Sequence, residues 1–109
     1  MLRGLFPGFI KLHILYHATE GPVFGLDLIR ELERHGYRLS PGTLYPLLHT
    51  LEREGCLRRE ERVVNGKVRK YYTATPAGAK VLAEAYVKVR ELLDEIEPRP
   101  ASTRRRKAK

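Results

Sequence analysis

Residues 40–55 read SPGTLYPLLHTLEREG, and this stretch carries the start signal, the stop signal and the apolar pattern of one amphipathic helix. Ser40 is expected to cap the first backbone N–H groups, and Pro41 suits the first helical position. Gly55 supplies the left-handed residue with which many helices end. Leucines at helical spacing form the side expected to be buried, namely Leu44, Leu47, Leu48 and Leu51.

The opposite side of this helix is polar but carries no acidic residue before Glu52. Hydroxyl and imidazole groups can approach phosphates or base edges without the repulsion that a carboxylate brings. We therefore interpret the segment as a candidate DNA-recognition helix. The residues expected on or near its outward side are Gly42, Thr43, Tyr45, Pro46 and His49.

Two helices are predicted ahead of it. The first follows Pro7 and ends at the Gly21-Pro22 pair, and the second ends at Gly36. A short link, residues 37–39, joins the second helix to the helix at Ser40, which satisfies the helix-turn-helix pattern with the later helix as the reader. The two apolar stripes are Phe9, Ile10, Ile14, Leu15 and Ala18, and Leu26, Leu28, Ile29 and Leu32.

A β-hairpin is predicted from Leu57–Val64 and Lys67–Ala74, because the two segments flank Asn65-Gly66, a strong two-residue turn signal. Pairing outward from this turn places Arg62 opposite Arg69. One face of the hairpin is expected to pack on the helices. It consists of Leu57, Val63, Val68, Tyr72 and Ala74, mixed with the Glu61 and Lys70 pair.

Arg62 and Arg69 are like charges directly across the ladder and are expected to repel each other. A DNA phosphate between them would remove that penalty. The alternative is a solvated hairpin whose charges protect its edge from aggregation. The neighbouring recognition helix favours DNA contact.

Thr75-Pro76 begins a last helix, along which apolar residues alternate at spacings of four and three. This seam consists of Leu82, Tyr86, Val89, Leu93 and Ile96. A second copy of the chain is expected to cover it, and the alternative is a helix that folds back on its own core. A dimer would place two recognition helices in successive major grooves of a palindromic site.

The chain has 109 residues, which suits one small domain with appendages. We predict a mainly α (α+β) fold, a winged helix-turn-helix of three helices and a two-stranded wing with a C-terminal dimerisation helix. The expected divisions are a DNA-binding domain over 1–75, the dimerisation helix over 76–97 and a basic, disordered tail over 98–109.

The formal net charge is +8, but six basic residues and no acid lie in residues 98–109. Residues 1–97 then hold 15 basic against 13 acidic residues, a net charge of +2. The charge is therefore concentrated in the tail, which either adds nonspecific attraction to phosphates or serves as a solubilising end.

No apolar run approaches the roughly 18 residues of a membrane span, and the N-terminus lacks a secretory pattern. A cytoplasmic protein without a membrane partner is expected. The single Cys56 cannot form an intramolecular disulfide and is interpreted as a core residue.

An enzyme is the first alternative class, and the sequence argues against it. It has no Gly-rich phosphate loop or nucleophile elbow. His13 and His17 lie one helical turn apart, a spacing that could bind a metal ion, but without the acidic residue of a zinc-protease motif. We predict no catalytic residue, metal or cofactor. A second alternative is a winged helix used only for protein contacts.

Three stretches carry a resemblance to a known family: GTLYPLLHTLEREG at 42–55, RKYYTATPAG at 69–78 and FGLDLIRELE at 24–33. Together they resemble the PadR family of bacterial transcriptional regulators over roughly residues 5–97. The single C-terminal helix is similar to the short second subgroup of that family. The resemblance implies a homodimeric winged-helix repressor.

The resemblance also implies that Tyr45 contacts a phosphate and that Ser40, Thr43, Pro46 and His49 lie close to the groove. In the wing, Lys67, Arg69 and Lys70 would meet the DNA backbone or the minor groove. Short members that capture flat aromatic drugs use a tryptophan pair on the last helix, and this chain has no tryptophan. Multidrug sensing is therefore not expected, while another small-molecule effector is left open. Tyr86 and Phe9 are interpreted as packing residues.

Overall fold

The computed structural model describes residues 4–98. Four helices and three strands follow one another along the chain: α1 (Leu5–Glu20), β1 (Val23–Phe24), α2 (Gly25–Arg34), α3 (Pro41–Arg53), β2 (Leu57–Val64), β3 (Lys67–Ala74) and α4 (Pro76–Ile96). This is the predicted α+β winged-helix architecture. The tail predicted from residue 98 lies, from residue 99 onward, outside the described residues.

One hydrophobic core lies between α1, α2, α3 and the base of the sheet. The leucine stripe predicted for α3 is confirmed, because three of its members are buried and Leu47 is partly buried against the core. Cys56 is also a core residue, as expected. The buried set is Ile10, Ile14, Leu15, Ala18, Leu28, Leu32, Leu44, Leu48, Leu51, Cys56, Leu57 and Tyr72.

Two positions of the predicted stripes are wrong, because Phe9 and Leu26 are exposed. Leu26 lies two positions before Leu28, which places it on nearly the opposite side of a helix with 3.6 residues per turn. Helix α1 also begins at Leu5 rather than after Pro7. Proline is tolerated there because the first-turn N–H groups have no helical acceptor.

Glycine ends both helices of the helix-turn-helix, as predicted. Gly55 has a φ of 82°, and the following N–H of Cys56 donates to the carbonyl of Leu51 at 2.8 Å. At the end of α2, the N–H of Tyr37 donates to the carbonyl of Leu32 at 3.0 Å in the same pattern. Residues 35–40 then connect α2 to α3.

The hairpin has the predicted register in every pair, from Val64 with Lys67 to Leu57 with Ala74. Asn65 and Gly66 both have positive φ, as this tight turn requires. The expectation that the apolar face packs along its whole length is wrong, because Val63 and Val68 are 73% and 64% exposed.

Only the base of the wing reaches the helices, where Leu57 and Tyr72 are buried. Strands of eight residues extend about 26 Å, at roughly 3.3 Å per residue. The tip of the hairpin therefore projects beyond the helical body into solvent.

The sheet contains a third strand that the sequence did not reveal. Val23 and Phe24 pair antiparallel with Tyr72 and Tyr71, so the strand order is β1-β3-β2. A two-residue strand has no periodicity by which it could be recognised. The wing is thus the outer part of a three-stranded sheet rather than an isolated two-stranded ribbon.

Thr75 fixes the start of α4 to the end of α3. Its hydroxyl accepts a hydrogen bond from the Gly78 N–H at 3.0 Å and donates one to the Gly55 carbonyl. Its N–H donates to the Cys56 carbonyl at 3.0 Å. Gly78 packs so closely on this carbonyl that an added Cβ would collide with it.

The seam predicted on α4 is partly covered and partly open. Leu82 and Val89 are half-buried, whereas Tyr86 and Ile96 are 64% and 63% exposed. Leu82 packs against the core, so the start of the helix does fold back on its own domain. None of the helices within residues 4–98 combines the length and apolar character needed to cross a bilayer.

Candidate nucleic-acid interface

The outward side of α3 has the polar character that the sequence predicts. Thr43, Pro46 and His49 are all exposed. Ser40 precedes the helix with an extended backbone, but its hydroxyl makes no capping hydrogen bond, contrary to the expectation. The Thr43 N–H, one of the donors that a capping hydroxyl would use, donates instead to the Ser40 carbonyl at 3.0 Å.

The Ser40 hydroxyl instead lies 3.4 Å from the hydroxyl of Thr43, and both residues are exposed. Pro46 stands inside α3 and has no N–H, so it cannot donate to the carbonyl of Gly42 one turn earlier. The start of α3 therefore presents two exposed hydroxyls to the surroundings. A hydroxyl can donate to a phosphate and can accept from a donor on a base edge.

Tyr45 is half-buried rather than fully outward, which corrects the sequence-based placement. Its ring packs against the core, and its hydroxyl end lies against Gly25, the first residue of α2. The absence of a side chain on Gly25 leaves room for this contact. The tyrosine therefore joins the recognition helix to the start of the preceding helix.

The wing supports its two facing arginines on aromatic rings. The guanidinium of Arg62 lies 4.7 Å from the ring centroid of Tyr71, and that of Arg69 lies 4.8 Å from the ring centroid of Phe24. The two rings are themselves neighbours, with centroids 5.7 Å apart. Four side chains from three strands thus form one layer on a single face of the sheet.

This layer changes the expected repulsion between Arg62 and Arg69. They are cross-strand partners, as predicted, but each interacts with an aromatic ring on its own diagonal. Arg62 also donates from Nε to the Glu60 carboxylate at 3.3 Å. The carboxylate of Glu60 therefore partly neutralises the charge of Arg62. Arg69 is half-buried, and its guanidinium lies over the Phe24 ring.

The two lysines of the predicted set lie on opposite faces of β3, with Lys67 on the same face as this layer and Lys70 on the other. Lys67 follows the turn and is exposed, and Lys70 is half-buried opposite Glu61. At the base of the wing, Arg59 pairs with Glu52 of α3 at 3.6 Å. This ion pair links the wing to the recognition helix, although an exposed pair of this kind adds little stability.

Phe24 and Tyr71 are the members of the candidate site that the sequence did not identify. Phe24 lies on β1 and Tyr71 on β3, and the pairing of these two strands brings the rings together. In the sequence, the aromatic residues of the Val23-Phe24 and Tyr71-Tyr72 pairs are the signal for this pair of supporting rings, and nothing local shows that the two segments meet. The contact depends on residues 47 positions apart, which local patterns do not reveal.

Comparisons with known proteins agree with this architecture. Residues 14–84 match the model of the family described as the transcriptional regulator PadR-like family. A relative from Mycobacterium tuberculosis, transcriptional regulator Rv3488, is 53% identical over 87 residues, which are 80% of this chain and 81% of the relative.

Solved structures give the same result. A PadR family transcriptional regulator from Eggerthella lenta has a TM-score of 0.76 and 34% identity, over 88% of this chain and 85% of that one. A PadR-like transcription factor from Bacteroides fragilis has a TM-score of 0.77 and 28% identity, over 86% and 92% of the two chains. The chain therefore belongs to the PadR-like family of transcriptional regulators.

Proposed function

We propose that this protein is a homodimeric transcriptional repressor that binds a palindromic operator in double-stranded DNA in the cytoplasm. The observation that carries the proposal is the exposed, acid-free first half of α3 beside the ring-supported arginines of the wing. Residues 1–75 would bind DNA, and residues 76–97 would hold the dimer together.

The recognition helix would supply the contacts that depend on base sequence. Thr43 and His49 are exposed and can reach base edges in a major groove. The hydroxyls of Ser40 and Thr43 lie 3.4 Å apart at the start of the helix, where a phosphate is favoured. Tyr45 has its hydroxyl at the start of α2, which suits a phosphate contact for the same reason.

The wing would supply contacts to the DNA backbone or minor groove. Lys67 and Arg69 carry the positive charge on one face of β3, with Arg62 opposite Arg69, while Lys70 adds its charge on the other face. The ring under each guanidinium fixes its plane and lowers the entropy lost on binding a phosphate. Since Arg62 already pairs with Glu60, we expect Arg69 to contribute more than Arg62 to the affinity for DNA.

The second copy would cover the open part of the α4 seam. Tyr86, Leu93 and Ile96 are apolar side chains that a monomer leaves exposed on one side of the helix. A two-fold pair of winged helices would match the two half-sites of a palindrome.

The test is selection of genomic DNA fragments by the purified full chain, followed by sequencing. Enrichment of a palindromic motif, bound by a species with the mass of two chains, is the expected result. No enriched motif would favour a winged helix used for protein contacts, and a motif without two-fold symmetry would overturn the palindromic operator.

Repression is tested separately with a reporter gene whose promoter overlaps the selected motif. We expect expression to fall when the protein is present and to recover in a variant that lacks Arg69. Raised expression would identify an activator instead.

A further inference from the structure

Two pairs of metal-ligating side chains face each other across the interface of α1 and α2, away from the recognition helix. His13 and His17 lie one turn apart on α1, while Glu31 lies in the last turn of α2 and His35 directly follows that helix. One donor nitrogen from each of the three histidines lies within 4.8 Å of the other two. Nε2 of His17 and Nε2 of His35 are each 3.9 Å from Oε2 of Glu31.

We propose that His13, His17 and His35, with the Glu31 carboxylate as fourth ligand, bind a divalent transition-metal ion of the zinc class. This site is separate from the proposed DNA interface, and it does not depend on that function. The sequence singled out the His13 and His17 pair but predicted no metal, because only the fold adds the residues of α2.

The spacing of the donors fits a tetrahedral ion after a small movement. Zinc–nitrogen bonds of about 2.0–2.1 Å place neighbouring ligand atoms about 3.4 Å apart in a tetrahedral site. The imidazoles of His13 and His35 are stacked, with ring centroids 4.5 Å apart and 27° between the planes. His35 is exposed, so its ring is free to turn its nitrogen toward the ion.

The surroundings give the ion space and one apolar side. A groove of about 510 Å³ lies over the cluster and is completed by Phe9, Leu12 and Tyr16. These three side chains form an apolar wall on one side of the cluster, and the other side of the groove is open to solvent. The groove therefore has room for the ion that the three histidines and Glu31 would hold.

Glu31 is oriented by a third partner. Nη1 of Arg34 lies 3.3 Å from Oε1 and 3.5 Å from Oε2 of Glu31, and Oε2 is also the oxygen 3.9 Å from His17 and His35. A carboxylate held in this way is a positioned ligand, and such supporting contacts raise metal affinity. Three imidazoles and one carboxylate suit zinc, cobalt, nickel or copper ions rather than magnesium or calcium.

An ion at this position would connect α1 to α2, which is the first helix of the helix-turn-helix. A ligand that binds only the folded chain also raises its thermal stability. Metal binding should therefore be visible both in the spectrum of the ion and in the unfolding temperature.

The experiment is a titration of the metal-free full chain with Co²⁺, followed by displacement with Zn²⁺. We expect the visible absorption bands of tetrahedral cobalt to saturate at one ion per chain and to disappear when zinc is added. Zinc should also raise the unfolding temperature. His13→Gln and His35→Gln should each weaken zinc binding at least about tenfold, which is the scale seen when even supporting contacts are lost.

His49→Gln is the matched control, because His49 is the fourth histidine of the chain and lies outside the cluster. This variant should keep the cobalt bands and the zinc-induced stabilisation. Failure of the unsubstituted chain to bind cobalt or zinc would overturn the proposal. Unweakened binding in the His13→Gln and His35→Gln double variant, folded by circular dichroism, would overturn it equally.

Discussion

The hydroxyl end of Tyr45 on the recognition helix lies directly against Gly25, the first residue of the preceding helix. A Cβ added to Gly25 would meet the phenol oxygen and the adjoining ring carbon, closer than real Cβ contacts approach. Gly25 is buried, so the added methyl group has no space elsewhere. An alanine at position 25 would therefore force the Tyr45 ring or the start of α2 to shift.

Gly25→Ala should therefore destabilise the protein by about 1–3 kcal/mol, the usual cost of overpacking. It should also weaken DNA binding, because the displaced Tyr45 moves the recognition helix. Urea unfolding and DNA titration measure the two effects. Gly8→Ala is the matched control, since an added Cβ at this α1 position meets nothing within 4 Å. Helix propensity predicts that this control is about 0.5–1 kcal/mol more stable.

Tyr45→Phe separates packing from DNA contact at the same position. The ring stays against Gly25, so the free energy of unfolding measured with urea should change by less than about 0.5 kcal/mol. DNA binding should weaken, because the hydroxyl proposed to meet a phosphate is lost. Unchanged affinity for the selected operator would remove Tyr45 from the interface.

Local sequence patterns predicted some features of the fold and missed others. Helix ends and hairpin register were predictable, because Gly55, Gly36 and Asn65-Gly66 act through their own backbone preferences. The leucine stripe of α3 was predictable for a similar reason, since a helical period is local.

What the sequence missed depends on contacts between distant segments. The two-residue β1, the platform of Phe24 and Tyr71, and the position of Tyr45 over Gly25 all arise from tertiary packing. The exposure of Val63 has the same origin, because the helices do not extend as far as the tip of the hairpin.

Arg69→Ala tests the wing. If Arg69 neutralises one phosphate, the slope of log affinity against log salt concentration should become shallower by about 1 for each chain that contacts DNA. Arg69→Lys should restore part of the slope but not the affinity, because lysine does not present a planar group over the Phe24 ring. Fluorescence anisotropy at several salt concentrations measures both.

Lys88→Ala is the control for charge alone, since Lys88 is exposed on α4 and pairs with Glu91 at 3.7 Å. Its salt slope should equal that of the unsubstituted protein. Equal slopes for Arg69→Ala and Lys88→Ala would show that the wing arginine makes no phosphate contact.

Leu93→Glu tests the dimer seam. A carboxylate at this position would have to lose its hydration inside an apolar interface, so the chain should sediment as a monomer and bind a palindrome poorly. Val87→Glu is the control, because Val87 is also an aliphatic residue of α4 and is also exposed, at 53% against 37% for Leu93. It lies roughly 120° around the helix from Leu93 and should leave the dimer intact. A dimer that survives Leu93→Glu would place the interface elsewhere.

Tyr72→Phe tests an unusual feature of the core. Tyr72 is fully buried at the base of β3, and its hydroxyl has no hydrogen-bond partner among residues 4–98. Leaving a buried hydroxyl unpaired costs about 1–3 kcal/mol, so its removal should stabilise the protein by an amount in that range. Destabilisation would mean that the hydroxyl has a partner after all.

The pH dependence of the Tyr72→Phe variant provides a second measurement of the same group. Burial, and then the negative charge of Glu52, raise the pKa of Tyr72 above its usual value near 10. A raised pKa in the folded state means that the neutral phenol is favoured by folding, so this stability is fully present below pH about 10. It is lost as the pH rises through the folded-state pKa, because the unfolded chain releases the proton first. The free energy of unfolding, measured with urea from neutral to alkaline pH, should therefore fall more steeply for the unsubstituted protein than for Tyr72→Phe. Parallel declines would mean that Tyr72 titrates equally in the folded and unfolded states.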